Sequence, residues 1–105
     1  MSSPSAQVSL RDITADTVPS ICSLRVTPEQ ECFVANNAFS IAQAYFEPKA
    51  WFRGIYADET PVGFVMLSID KKTPEFYLWR YMIDARHQGR GYGAKALDLI
   101  INHIR

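Results

Sequence analysis

The sequence predicts a single α/β layered domain, and three observations carry that prediction. Of the 105 residues 48% are apolar, which is enough for one core and too many for a disordered chain. Helix-start signals dominate the stretch before Pro48, whereas strand patterns dominate Trp51 to Ile83. Three alternate glycines, Gly89, Gly91 and Gly93, then join the last strand to an apolar helix.

Each element follows from local pattern. Val8 to Ile13 alternates (Val8, Leu10 and Asp12 against Ser9, Arg11 and Ile13) and reads as a short first strand. Thr14 or Asp16 caps a helix through Val18, Ile21, Cys22 and Leu24, with Pro19 tolerable only in its first turn. Thr27-Pro28-Glu29-Gln30 is a second helix start, with Thr27 as N-cap, Pro28 in first position and Gln30 at the capping-box position. That helix carries Cys32 and Phe33, breaks near Asn36-Asn37, resumes from Ser40 to about Phe46 and closes at Pro48. Strands follow at Trp51 to Ala57 and Pro61 to Ile69, joined by the polar turn Asp58-Glu59-Thr60. Gly63 inside the second of these predicts a bulge or a close backbone approach. A loop from Asp70 to Pro74 leads to an aromatic strand, Glu75 to Ile83. The last helix runs from Gly91 to His103, with Ala94, Leu97, Ile100, Ile101 and Ile104 on one side. The order is β-α-α-β-β-β-loop-α.

Composition excludes several classes. Eleven basic residues balance eleven acidic ones, so no general affinity for nucleic acid is expected; positive charge gathers only at Arg80, Arg86, Arg90 and Lys95. Cys22 and Cys32 form no CxxC and have no partnering histidine cluster, and read as buried thiols of a reducing compartment rather than a metal site. No run approaches the roughly 18 apolar residues of a membrane span. Met1 to Ala6 is polar and lacks a secretory apolar region. A cytoplasmic protein with no membrane partner, residues 1–105 forming one domain, is expected.

Arg86-His87-Gln88-Gly89-Arg90-Gly91-Tyr92-Gly93-Ala94 carries the chemistry. Glycines at that spacing leave backbone N–H groups uncovered, and a helix start adds unpaired donors and a positive dipole end. Together they suit a phosphate or pyrophosphate. Gly89-x-Gly91-x-x-Ala94 formally fits the dinucleotide fingerprint, but the acidic ribose ligand about 20 residues further on has no strand to sit on. A Walker A loop is excluded, because no Gly-Lys-Ser/Thr follows. A plain connecting turn needs fewer glycines.

Gln88-x-x-Gly91-x-Gly93 has the form Gln/Arg-x-x-Gly-x-Gly/Ala and follows Tyr81-Met82-Ile83-Asp84. Upstream stand Gly54-Ile55-Tyr56-Ala57, a short polar turn and Pro61-Val62-Gly63-Phe64-Val65. These blocks resemble the GNAT superfamily of acetyl-CoA-dependent N-acetyltransferases, over nearly the whole chain from Val8 to Arg105. Tyr81 to Gly93 looks most like the spermidine/spermine acetyltransferase branch. The resemblance implies a mainly antiparallel sheet with helices on both faces and acetyl-CoA as cofactor. Backbone N–H groups of Gly89, Arg90, Gly91, Tyr92, Gly93 and Ala94 would wrap the coenzyme A pyrophosphate, with the Gln88 side chain beside it. The strand edge at Tyr81, Met82 and Ile83 would pair with the pantetheine amides, and a backbone N–H there would polarise the thioester carbonyl. Arg86, Arg90 or Lys95 could reach the adenosine phosphate.

Acetylating an amine needs a neutral nucleophile, whereas alkyl amines with a pKa near 10 are protonated at neutral pH. A carboxylate or water chain must take that proton, and no covalent intermediate is required. Where relatives carry a glutamate base, this chain has Trp79, flanked by Arg80. Glu75 shares strand parity with Trp79 but lies roughly 13 Å earlier, and reads as a solvated strand end. No catalytic residue is assigned. Glu29 and Glu31, with Glu47, could draw a cationic amine between the first helices and the sheet, although helix starts favour acidic residues in any case. Phe33, Phe39, Tyr45, Phe46, Trp51 and Phe52 are expected mostly in the core. His87 reads as an exposed loop spacer, and His103 as a helix-end cation.

Members of the superfamily continue beyond the helix that ends here near Arg105, so the resemblance implies a fold truncated after the cofactor-binding helix. The strand Glu75 to Ile83 would then be an open edge, and self-association through it is expected. The alternative to an enzyme is a non-catalytic module that binds coenzyme A or a partner chain.

Overall fold

The computed structural model describes residues 6–31, 36–73 and 75–105. Among them, β1 (Val8–Arg11), β2 (Ala50–Ala57), β3 (Thr60–Asp70) and β4 (Glu75–Ile83) form one antiparallel sheet in chain order. Helices α1 (Val18–Cys22), α2 (Pro28–Glu31) and α3 (Asn37–Tyr45) precede β2, and α4 (Tyr92–Ile104) follows β4. Helix α4 covers one face, against β1 and β4, while α1 and α3 cover the other, against β3 and β2. The layered α+β architecture with helices on both faces is therefore present.

Strand alternation divides the core in two. Val8, Ile55, Ala57, Val65 and Leu67 meet Tyr92, Ala96 and Ile100 of α4. Tyr56, Phe64, Met66 and Met82 meet Ile21 and Leu24 on the opposite face. Two irregularities interrupt the ladder. Ile55 pairs with Gly63 but Tyr56 with Pro61, so Val62 is the extra residue of a bulge. A Cβ on Gly63 would stand 2.4 Å from the Met82 carbonyl oxygen, so the bulge and the close approach expected at Gly63 both occur. Met66 pairs with Arg80 but Leu67 with Leu78, leaving Trp79 as a second bulge, in β4.

Several expectations are corrected. Strand β1 stops at Arg11: Asp12 turns to Arg53 at 2.9 Å, and Ile13 joins the cluster beneath α1. The N-cap of α1 is Thr17, without a side-chain cap bond, because Thr14 and Thr17 spend their hydroxyls on the preceding turn. Pro19 does sit in the first turn. The backbone leaves the helical region at Asn36, where a break is expected, but α3 begins at Asn37 rather than Ser40, since the Asn36 side chain caps it by accepting from the Phe39 N–H at 2.7 Å. The continuation of α2 through Cys32 and Phe33, the loop residue Pro74 and the first five residues lie outside the described residues.

In α4 the buried stripe is Tyr92, Ala96 and Ile100, flanked by Leu99 and Ile104. Ala94, Leu97 and Ile101 are exposed, because they lie roughly 100° to 160° around the helix from the middle of that stripe. The aromatics are less buried than expected: Phe39, Tyr45 and Phe46 are exposed, while Trp51 and Phe52 are half-buried. His103 stacks on Trp51 with ring centroids 4.3 Å apart, so it has a packing role besides its place in the last turn.

Candidate functional site

The loop between β4 and α4 is built around one carboxylate. Asp84 is 2% exposed, and its Oδ1 accepts from the Arg25 N–H at 2.8 Å. Its Oδ2 accepts from the Arg86 N–H at 3.1 Å and from Arg86 Nε at 2.9 Å. The Asp84 N–H donates to the Val62 carbonyl exposed by the first bulge, and the Ala85 N–H donates to the Arg25 carbonyl, both at 2.7 Å. Burial alone would push this carboxyl up, but hydrogen bonds from Arg86 and from the Arg25 backbone outweigh it and hold it below the ordinary value. Asp84 also caps a 3-10 turn, Ala85–His87, that sequence patterning missed. Arg86 is thus committed to Asp84 and is not the mobile cation that its position suggested.

Gly89 and Gly91 adopt φ of +81° and +83°, the left-handed region that glycine enters freely, and a Cβ at either would meet nothing within 4 Å. Gly91 is the N-cap of α4 and supplies no side chain to cap it. No side chain caps the first turn, whose backbone N–H groups stand at the positive end of the helix. Gly93 allows close packing: a Cβ there would lie 3.3 Å from the Tyr81 hydroxyl, which donates to the Gly93 carbonyl. Burial pushes the Tyr81 phenol up, so it remains a donor. The Tyr92 side chain is buried against the sheet and Ala94 is exposed. Gln88 turns back, its Nε2 donating to the Ile83 carbonyl at 2.8 Å and to Gln30 Oε1 at 3.1 Å, and so fastens the loop to β4 and α2. His87 is half-buried rather than a free spacer. Its Nδ1 is shielded without a partner, and desolvation lowers its pKa.

Tyr81, Met82 and Ile83 pair with Val65, Phe64 and Gly63 on one side only, and β4 is the edge of the described sheet. Just before them, the bulge puts Trp79 in the cluster beneath α1 and α3 and lets Arg80 reach Gln43 of α3 at 2.8 Å. Glu75 stands at the opposite end of β4, exposed and paired with Asp70.

A cavity of about 280 Å³ opens between the α1–α2 linker, α3 and the end of β4, lined by Leu24, Arg25, Val26, Glu31, Asn37 and Met82. Of the acidic residues singled out from sequence, Glu31 reaches this cavity, whereas Glu29 is exposed on α2 and not part of the described lining. Glu47 accepts from the Lys49 N–H instead. Sequence reasoning missed Asn37 and Arg25 here. An aspartate just ahead of a turn was the available signal for Asp84.

The uncapped helix start, two left-handed glycines with open space above them and a strand edge leading to them fit a ligand carrying a diphosphate and an amide-bearing arm. No helix among the described residues is long and apolar enough to cross a membrane. The model of the acetyltransferase (GNAT) family matches residues 11–105. The chain is similar to the spermine/spermidine N(1)-acetyltransferase of Bacillus subtilis (strain 168), 28% identical over 107 residues, covering 92% of this chain and 68% of that protein. It is 27% identical, with the same coverage, to a protein of Bacillus subtilis subsp. natto named as a probable spermine N(1)-acetyltransferase.

Proposed function

The chain belongs to the acetyltransferase (GNAT) family of acyltransferase enzymes, and from that premise we propose that it moves the acetyl group of acetyl-CoA to a small, polyamine-like primary amine by direct attack. The observation that carries this reading is the uncapped start of α4 behind Gly89 and Gly91. In the proposal, the backbone N–H groups of Gly89, Arg90, Gly91, Tyr92, Gly93 and Ala94 hold the diphosphate. The edge of β4 at Tyr81, Met82 and Ile83 binds the pantetheine arm as an added strand. Gln88 keeps loop and strand in register through Ile83. When bound, acetyl-CoA supplies an acyl group on a good leaving thiol. A backbone N–H of β4 steadies the charge that develops on the carbonyl oxygen.

Glu29 and Glu31 attract the cationic acceptor, Glu31 from the cavity and Glu29 from the outer surface of α2. The names of the two relatives support an amine acceptor. We further infer that residues 1–105 act as one domain in the cytoplasm, and that copies of it associate through β4.

The test is release of free thiol from acetyl-CoA in the presence of spermine, spermidine and a panel of other primary amines. Turnover with at least one amine is expected. Binding of coenzyme A without turnover would instead support the non-catalytic module, and a nicotinamide dinucleotide that binds equally well would remove the cofactor assignment.

A further inference from the structure

The cavity beneath the α1–α2 linker is lined by a hydrogen-bond acceptor that no donor among the described residues meets. Asn37, in the first turn of α3, is 2% exposed. Its Nδ2 donates to the Ile21 carbonyl at 2.8 Å and lies 3.8 Å from Met82 Sδ. A backbone carbonyl only accepts, so this bond fixes which end of the carboxamide is nitrogen and which is oxygen. Oδ1 is the other end, and no donor among the described residues meets it. Asn37 itself lines the cavity.

We propose that Asn37 Oδ1 binds the acceptor substrate by taking an N–H of the amine, while the Glu31 carboxylate balances the substrate's positive charge. This rests on the acetyltransferase reading above and deepens it to the residues that hold the acceptor. Both groups offer acceptors, and an aliphatic ammonium or amine offers the matching donors; Arg25 also lines the cavity, with its guanidinium Nη1 donating to the Cys22 and Leu24 carbonyls. Leu24, Val26 and Met82 provide apolar lining for methylene groups. Met82 belongs both to this cavity and to the strand edge proposed for the pantetheine arm, so an amine held by Asn37 lies beside the acyl lane. A volume of about 280 Å³ is near the lower limit for small-molecule sites.

The experiment uses the whole chain saturated with coenzyme A, so that no turnover occurs. Spermidine is titrated in while the side-chain amide resonances of Asn37 are followed by NMR, with calorimetry for affinity. Those resonances should move on binding. Asn37→Leu should weaken spermidine about tenfold or more, the loss of a hydrogen bond to a charged group, and Glu31→Gln by about threefold. Coenzyme A affinity should stay the same in both. Equal spermidine affinity in wild type and Asn37→Leu overturns the proposal, as does an absence of spermidine binding. If Asn37→Leu does not fold, unmoved Asn37 resonances at saturating spermidine in the wild type overturn it. Failure of the acetyltransferase reading looks different: spermidine binds and moves Asn37, yet no thiol is released from acetyl-CoA.

Discussion

The backbone of Arg25 is pinned to Asp84 and its neighbour from both ends: the Arg25 N–H donates to Asp84 Oδ1 at 2.8 Å, and the Arg25 carbonyl accepts from Ala85 at 2.7 Å. Arg25 lines the candidate acceptor cavity, and Asp84 opens the loop that leads to the helix start. One buried carboxylate therefore anchors the walls of both sites.

Removing that carboxylate should be costly. Asp84→Ala strands the backbone donors of Arg25 and Arg86 together with the Arg86 guanidinium, and should cost about 3 kcal/mol in urea unfolding. Asp84→Asn retains an oxygen for Arg25 and should cost about 1 kcal/mol.

Acid should destabilise the protein in two steps. His87 and Asp84 both titrate below their ordinary values of 6.5 and 3.8 in the folded state, so the unfolded chain binds more protons on the acid side of each. Stability present above 6.5 declines first as His87 protonates, and a further loss begins below 3.8. In thermal melts across pH, Asp84→Asn should reduce the second decline and enlarge the first, because it removes the negative charge that partly offsets the desolvation of His87.

Gly91→Val separates shape from space. The new side chain meets no neighbour, but a β-branched residue at φ +83° is strained by about 1–2 kcal/mol. Relief of that strain would move the first N–H groups of α4, so the thermal stabilisation conferred by coenzyme A should disappear. Unchanged stabilisation would contradict the diphosphate assignment.

At Gly63 the obstacle is backbone. The Cβ of Gly63→Ala would collide with the Met82 carbonyl at 2.4 Å and with Ile83 Cδ1 at 2.9 Å. Destabilisation by about 3 kcal/mol is expected. Displacement of Met82 should also weaken coenzyme A binding more than amine-independent packing changes elsewhere, as calorimetry on folded protein would show.

The outer half of β4 exposes Phe76, Tyr77 and Leu78 along an edge that no described strand covers. Gel filtration at micromolar concentration should show a dimer or larger species, and Leu78→Lys should shift it toward monomer. A compact wild-type monomer would refute self-association.

Pattern alone located every strand to within a few residues, and β4 to its observed ends, because alternation and the Gly and Asp turns are local properties. It also located the glycines at the start of α4, since their demand for positive φ is written in the residue type. What it missed depends on partners distant in the chain. Tyr81 and Trp79 share sequence parity, yet the inserted residue at the second bulge places Tyr81 on the α4 face and Trp79 on the other. The break at Asn36 was legible, but the start of α3 at Asn37 rather than Ser40 was not, because Asn36 acts as a cap only through the Phe39 N–H. Asn37 itself became visible only through Ile21, 16 positions away.

One superfluous residue has a last effect. Trp79 has no opposite number in β3, and the strand bends where it sits. In the reading proposed above, the border of the sheet falls into two lengths on either side of that residue: an oily outer one that would take a second copy of the chain, and an inner one, beside the glycines, that would take the cofactor's amide tail.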